Sequence, residues 1–265
     1  MSESGKAPIA VALSSASVYP LSVHDAFAVA QDLSFDGVEV MVTNNPISQD
    51  PHALKQLSAQ YGQEVVSIHA PTLLLTQQVW GKAWNKIEQS CLMAREVGCD
   101  VVVVHPPFRW QNDYAEEFFE GVMDAQERHG VKIAVENMYP WRVRGREILM
   151  YLPHWNPIGR GYPHVTWDFS HSATAGMDSL DAIRELGSTL RHVHLTDGTG
   201  AGSKDEHLIP GEGNQRCVEA LRHLADSTFD GVVVAEISTR KAKAVGEREE
   251  MLARTLAFAR EHLAR

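Results

Sequence analysis

Val101-Val102-Val103-Val104-His105-Pro106-Pro107 is a run of β-branched residues that ends on an imidazole and is stopped by two prolines. An apolar run that does not alternate must be covered on both faces, the situation of a parallel strand flanked by helices. Runs of the same kind recur along the chain, and we read strands at 9–14, 37–42, 65–69, 101–105, 132–136, 164–168, 191–195 and 232–237. Their starts fall 27 to 41 residues apart, room for one strand and one crossover helix each. Helical patterns fill the intervals at 23–33, 51–61, 82–97, 115–129, 180–186, 215–226 and 246–264. Gly62, Gly98 and Gly130 stand where helices should end. The interval between strands five and six holds Trp141, Pro153, Trp155 and Pro157, so its helix should be short or broken. Eight β/α units in 265 residues predict an α/β fold, a closed (β/α)8 TIM barrel forming one domain over 1–265. A doubly wound open sheet would call for a glycine-rich phosphate loop after the first strand, where Ser14-Ser15-Ala16-Ser17-Val18-Tyr19-Pro20 stands instead.

Composition narrows the function classes. Apolar residues make up 44% and charged residues 22%, which excludes a fibrous or disordered chain. No apolar run approaches the roughly 18 residues a membrane span needs. Residues 1–6 have no apolar core, so no secretory signal is expected. Cys91, Cys99 and Cys217 are odd in number and lack CxxC spacing, which predicts reduced thiols packed among helices, a cytoplasmic location and no cysteine zinc site. The net charge of −10 argues against a general nucleic-acid binder.

In a (β/α)8 barrel the chemistry sits at the C-terminal ends of the strands. Here strand three ends at His69, strand four at His105, strand five at Glu136, strand six at Asp168 with His171 three residues on, strand seven at His194, and strand eight at Glu236. The loop after strand seven adds Asp205 and His207. Any one of these could be an ordinary hydrogen-bonded histidine or a salt-bridged carboxylate. Together, four carboxylates and five imidazoles converge on one rim without matching lysines or arginines at those strand ends to balance them. Burying them uncompensated is costly, and a divalent metal supplies the missing positive charge. The mixture of nitrogen and oxygen donors suits zinc, manganese, cobalt or iron better than calcium or magnesium.

The remaining histidines are expected elsewhere: His24, His52, His129, His223 and His262 on helix surfaces, and His192 on the face opposite His194. Glu39 on the second strand is either a support for the site or a barrel-layer residue. Basic residues cluster in the loops of the same rim, at Arg109, Arg142, Arg144, Arg146, Lys204, Arg240, Lys241 and Lys243. They are either solvated or a phosphate-recognition surface, since guanidinium forks match phosphate oxygens. Arg109, Trp110, Trp141, Arg142 and Lys204 are the expected substrate-binding set. The aromatic segment Tyr139–Trp155 is expected to act as a partial lid that makes a pocket walled by Trp110 and Trp141. Pro210-Gly211-Glu212-Gly213 could add backbone N–H donors.

On these residues the chain resembles the xylose isomerase-like barrel superfamily from the second strand to the eighth. That group contains sugar isomerases, ketose epimerases, inosose dehydratases and type IV apurinic endonucleases; overall the chain looks most like bacterial proteins called sugar phosphate isomerase/epimerase. Resemblance to the ketose epimerases implies one metal on Glu136, Asp168, His194 and Glu236, His171 near the substrate, and Glu136 and Glu236 as acid and base. Resemblance to the endonucleases implies three zinc ions. The first would lie on His69, His105 and Glu136, the second on Glu136, Asp168, His194 and Glu236, and the third on His171, Asp205 and His207. The loops depart from the endonucleases: Asn137-Met138-Tyr139-Pro140-Trp141-Arg142 replaces a small-residue loop, and neither Ser14-Ser15-Ala16 nor Pro106-Pro107-Phe108-Arg109-Trp110 matches their DNA-contacting segments. The resemblance therefore implies a zinc- or manganese-dependent isomerase or epimerase holding one to three divalent ions. Its partner would be a small-molecule sugar or sugar phosphate, with no membrane and no nucleic acid. A trinuclear-zinc phosphodiesterase is the alternative; dehydration, or sugar binding without catalysis, is a third.

Overall fold

The computed structural model describes residues 7–72, 76, 78–144, 146–201 and 204–264; the expectation for residues 1–6 lies outside them. Eight parallel strands close the barrel: β1 (Val11–Ser14), β2 (Val38–Met41), β3 (Val65–His69), β4 (Val101–Val104), β5 (Lys132–Glu136), β8 (Val165–Asp168), β9 (Leu190–Leu195) and β10 (Val232–Ala235). Around the ring they run β1-β10-β9-β8-β5-β4-β3-β2. The outer layer is α1 (Val23–Leu33), α2 (Pro51–Tyr61), α3 (Ala83–Val97), α4 (Asp113–Glu116), α5 (Phe118–His129), α6 (Phe169–Ala175), α7 (Ser179–Leu186), α8 (Cys217–Asp226) and α9 (Glu247–Leu263). Gly62, Gly98 and Gly130 close α2, α3 and α5 with left-handed backbone, as their positions predict. Among the described residues no helix is long and apolar enough to cross a membrane.

Alternation along each strand divides the residues between two environments. Val11, Leu13, Val38, Val40, Ile68, Val102, Val104, Ile133, Val135, Trp167, Val193 and Val233 join the main core between barrel and helices. Their neighbours face the interior, and on several strands these change from small or apolar residues to polar ones toward the C-terminal end. Val101, Val103 and Ala134 pack together below His105 and Glu136, and Ala12, Val232 and Val234 below Ser14 and Glu236.

Two expectations are corrected. His192 does not point away from His194; residues two apart on a strand share a face, and the two rings meet edge to face 4.9 Å apart inside the barrel. His262 is buried in α9 against Phe258 rather than exposed. The interval between β5 and β8 contains no helix among the described residues. Its place is taken by an antiparallel hairpin, β6 (Trp141–Val143) and β7 (Arg146–Ile148).

Candidate metal centre

Glu136, at the end of β5, is the hub. Its Oε2 lies 2.8 Å from His105 Nε2 and 3.3 Å from His69 Nε2, and its Oε1 lies 3.0 Å from His194 Nδ1. His194 Nδ1 is also 3.0 Å from Glu236 Oε2 and 3.7 Å from Asp168 Oδ2. Potential ligand atoms of His69, His105 and Glu136 fall within 4.8 Å of one another, as do those of Glu136, Asp168, His194 and Glu236, so Glu136 is shared between two adjoining groups. Asp168, His171 and His207 form a third such group, and Asp205 Oδ2 sits 3.2 Å from His171 Nε2 and 2.8 Å from His207 Nε2. The nine strand-end and loop residues singled out in the sequence are thus brought together.

The imidazoles are aimed. His69 Nδ1 donates to Ala70 O (3.0 Å), His171 Nδ1 to Asn137 O (2.8 Å) and His207 Nδ1 to Glu236 O (2.7 Å). His194 turns its other nitrogen, Nε2, to Glu39 Oε1 at 3.0 Å. In each ring one nitrogen is anchored and the other faces the carboxylates, the arrangement that fixes metal-binding histidines. His207 adopts left-handed backbone, φ 46°, a strained conformation for a β-carbon residue, to reach both Glu236 O and Asp205. Asp168 caps α6 by accepting from His171 N at 2.6 Å with Oδ1. Its buried Oδ2 accepts no hydrogen bond, and the buried Glu136 Oε2, although 2.8 Å from His105 Nε2, meets no donor in hydrogen-bond geometry. Two orphaned anionic oxygens beside oriented imidazoles fit a divalent cation and its chemistry.

Glu39 was not assigned to the site by sequence alone. Buried on β2, it accepts from Ser67 Oγ at 2.9 Å and lies 2.9 Å from His192 Nε2 and 3.0 Å from His194 Nε2. It forms the layer beneath the quartet and holds His194 from behind.

Electrostatics follow from this crowding. Burial works against charge throughout, yet the imidazoles of His105 and His194 hold the Glu136 carboxyl well below its ordinary range, and those of His207 and His171 do the same for Asp205. In return, carboxylate neighbours overcome burial to raise His194 and His207 well above the usual imidazole value and push His171 up to about 10. Glu236 differs from Glu136: burial dominates and raises its carboxyl. Protons on the imidazoles act here as the countercharge that a bound cation would otherwise provide.

A cavity of about 620 Å³ opens above these groups and includes His69, Glu136 and Glu236 in its lining. Of the five residues expected at the substrate, Lys204 lines it; Arg109, Trp110, Trp141 and Arg142 do not. The Arg142 guanidinium is occupied by Glu147 Oε1 (3.1 Å), Thr174 O (2.9 Å) and Ala175 O (3.4 Å), tying the hairpin to the end of α6. Trp110 stacks on Phe108 with ring centroids 4.4 Å apart, and both meet Trp141 edge to face. Phe108 and Trp141, with Met138, Tyr151 and Trp155, belong to a separate apolar cluster that does not line the cavity, and the exposed Trp110 stacks on its outside. The N–H groups of Gly211 and Gly213 are spent on Asp197 Oδ2 at 2.9 and 3.0 Å. A side chain at Gly213 would collide with that carboxylate. Arg240 and Lys241, which do line the cavity, were not placed in the expected substrate set.

A family model described as xylose isomerase-like TIM barrel matches residues 27–262. The protein Rv0498 of Mycobacterium tuberculosis is 45% identical, covering 97% of this chain and 99% of its own length. Fructoselysine 3-epimerase of Escherichia coli is 22% identical over 83% of this chain and 86% of its own. Among solved structures, a D-tagatose 3-epimerase-like protein superposes with a TM-score of 0.69 at 25% identity, over 97% of this chain and all of that one (100%).

Proposed function

Because the chain belongs to the xylose isomerase-like TIM barrel family, we propose that it is a metal-dependent isomerase or epimerase acting on a sugar or sugar phosphate. The observation that carries this reading is the quartet Glu136, Asp168, His194 and Glu236, gathered within 4.8 Å, with Glu136 and Glu236 lining a cavity of sugar size and Asp168 and His194 buried behind them. The similarity to epimerases in sequence and in fold supports it. The donor set suits zinc or manganese; the quartet would hold one ion, and His69 with His105, and His171 with Asp205 and His207, would hold up to two more. When bound, such an ion draws electron density from a carbonyl and its neighbouring hydroxyl and so acidifies the intervening C–H.

The chain's own groups move the proton. β5 and β10 lie three places apart in the ring, so Glu136 and Glu236 approach a substrate from different sides. One carboxylate takes the proton as the C–H electron pair moves into the adjoining C–C bond and the carbonyl oxygen gains charge. Return of a proton on the opposite face inverts the carbon; return to the neighbouring carbon, with the hydroxyl proton passing to the former carbonyl oxygen, exchanges ketose for aldose. Both line the cavity, but Glu236 is the better acceptor: its Oε1 is steadied by Ser14 Oγ at 3.2 Å, whereas Glu136 serves two ligand groups at once. The test is incubation of the metal-loaded protein with ketoses and ketose phosphates in D2O. Deuterium should appear on the carbon beside the carbonyl, and Glu236→Gln should slow its entry by about 10²–10⁴-fold. No exchange with any ketose would overturn the reading.

A second reading has an observation of its own. The third group, with Asp205 against both His171 and His207, suits a trinuclear centre that activates water on a phosphodiester. Cleavage of an abasic-site duplex by the metal-loaded protein, with no ketose exchange, would establish it in place of the first.

A further inference from the structure

We propose that the substrate carries a phosphate group away from its reacting carbon, and that Lys204, Arg240 and Lys241 receive it at the mouth of the cavity. The inference rests on the isomerase or epimerase reading and narrows its substrate class to phosphorylated sugars.

All three cations line the cavity whose floor is Glu136 and Glu236. None forms an ion pair with a carboxylate among the described residues, although the chain carries ten more acids than bases. The acids on the same wall are already engaged. Glu206 accepts from Thr199 N at 2.7 Å and Thr199 Oγ1 at 2.6 Å, and feels Lys204 and Lys241 only at a distance. Glu212 pairs with Arg254 at 2.9 Å. Asp205 is held between Ser170, His171 and His207. Positive charge is therefore left without a protein partner on one wall, and it faces the space a ligand would fill.

The loop that carries two of these cations is held in place before any ligand arrives. Ser238 N donates to His207 O at 2.8 Å, Ala242 N to Thr239 O at 3.0 Å, and Thr239 Oγ1 to Ser17 O, with Arg248 Nε on Thr239 Oγ1 at 3.0 Å. The Arg240 guanidinium lies 4.5 Å over the Tyr19 ring, which orients it without neutralising it. Three cations exceed what a single carboxylate would balance. A phosphate monoester, with nearly two negative charges and three acceptor oxygens, matches them better. The carbonyl end of the sugar then lies over the carboxylate–imidazole floor, and the phosphate fixes which carbon reaches Glu236.

The experiment compares a ketose 6-phosphate, the same ketose without phosphate, and a ketose bearing a terminal carboxylate in its place. Each is titrated calorimetrically into the metal-loaded protein and into the Arg240→Ala/Lys241→Ala double variant, both residues being exposed. The phosphate ester should bind about tenfold or more tightly than the neutral ketose. In the double variant that gap should close, with KM for the phosphate ester rising far more than kcat falls. Lys243→Ala, outside the cavity lining, is the control and should leave the gap as it was. Equal or weaker binding of the phosphate ester, or a gap the double variant does not change, overturns the inference. Tighter binding of the carboxylate also overturns it and points to sugar acids. Binding is read without turnover, so absence of deuterium exchange would remove the isomerase reading while the phosphate site stood or fell on its own titration.

Discussion

The floor of the cavity and its rim are built by different rules. On the floor and just behind it, His69, Glu136, Asp168, His194 and Glu236 stand on or directly after strand ends, nearly or fully buried, and all but Glu136 are held by contacts beyond the ligand face. On the rim, Lys204, Arg240 and Lys241 are exposed and come from loops. Position on the floor is dictated by the sheet ladder, whereas position on the rim depends on the path each loop takes. The floor should therefore respond to substitution with large, cooperative losses, and the rim with graded changes in binding.

The largest effect is expected from His194→Ala. It deletes the one imidazole that touches Glu39, Glu136, Asp168 and Glu236 together, leaving four carboxylates facing each other. Elemental analysis should find the quartet ion lost. Thermal unfolding should lose most of the midpoint rise that metal gives the parent protein, because metal-binding free energy is also folding free energy. A variant that keeps its full metal content would remove His194 from the ligand set.

Next comes Glu39→Gln, which separates positioning from ligation. Glutamine keeps the volume and an acceptor for His194 Nε2 but removes the charge that steadies it. Metal affinity, read by competition with a chromophoric chelator, should fall about 10–100-fold. Unchanged affinity would make Glu39 a packing residue of the barrel interior.

The strand ends were legible in the sequence because alternation and burial act locally. A continuous valine run that ends in a histidine has one geometry in a parallel barrel, and the nine residues singled out converge as expected. The face of His192 follows from the same period of two, which sets it beside Glu39 and Ser67 in the barrel interior rather than on the face opposite His194. The rim was not legible, since an arginine in a loop says nothing of where its guanidinium goes. Arg142 folds back onto Glu147 and two carbonyls, while Arg240 lines the cavity. The hairpin in place of a fifth crossover helix was visible only as a break, through its prolines and tryptophans.

A third effect is graded in pH. Without metal, carboxylate charge raises His194 and His207 and pushes His171 up to about 10, so all three carry protons at neutral pH. Metal must displace those protons and the one on His69, which Glu136 also raises, while burial lowers His105; uptake therefore releases protons, and occupancy is favoured as pH rises and lost as it falls. Metal titrations in two buffers of different ionisation enthalpy count the protons released. Occupancy that stays flat from about pH 8 to about pH 5 would mean that the histidines are not ligands.

The smallest effect is expected at Arg142, and it tests the rim from the opposite side. Its guanidinium is about one-third exposed, shared between Glu147 and the carbonyls that end α6, and absent from the cavity lining. Surface pairs of this kind contribute roughly 0–1 kcal/mol. Arg142→Ala should therefore lower the thermal midpoint slightly through loss of the tie between hairpin and helix, with KM for a phosphorylated ketose unchanged. Arg240→Ala should give the reverse pattern, a raised KM and an unaltered midpoint, because among the described residues its guanidinium makes no ion pair and lies over the Tyr19 ring. If Arg142→Ala raised KM as much as Arg240→Ala, the hairpin would have to close over the cavity when substrate binds, and the division between a fixed floor and a fixed rim would give way to a moving lid.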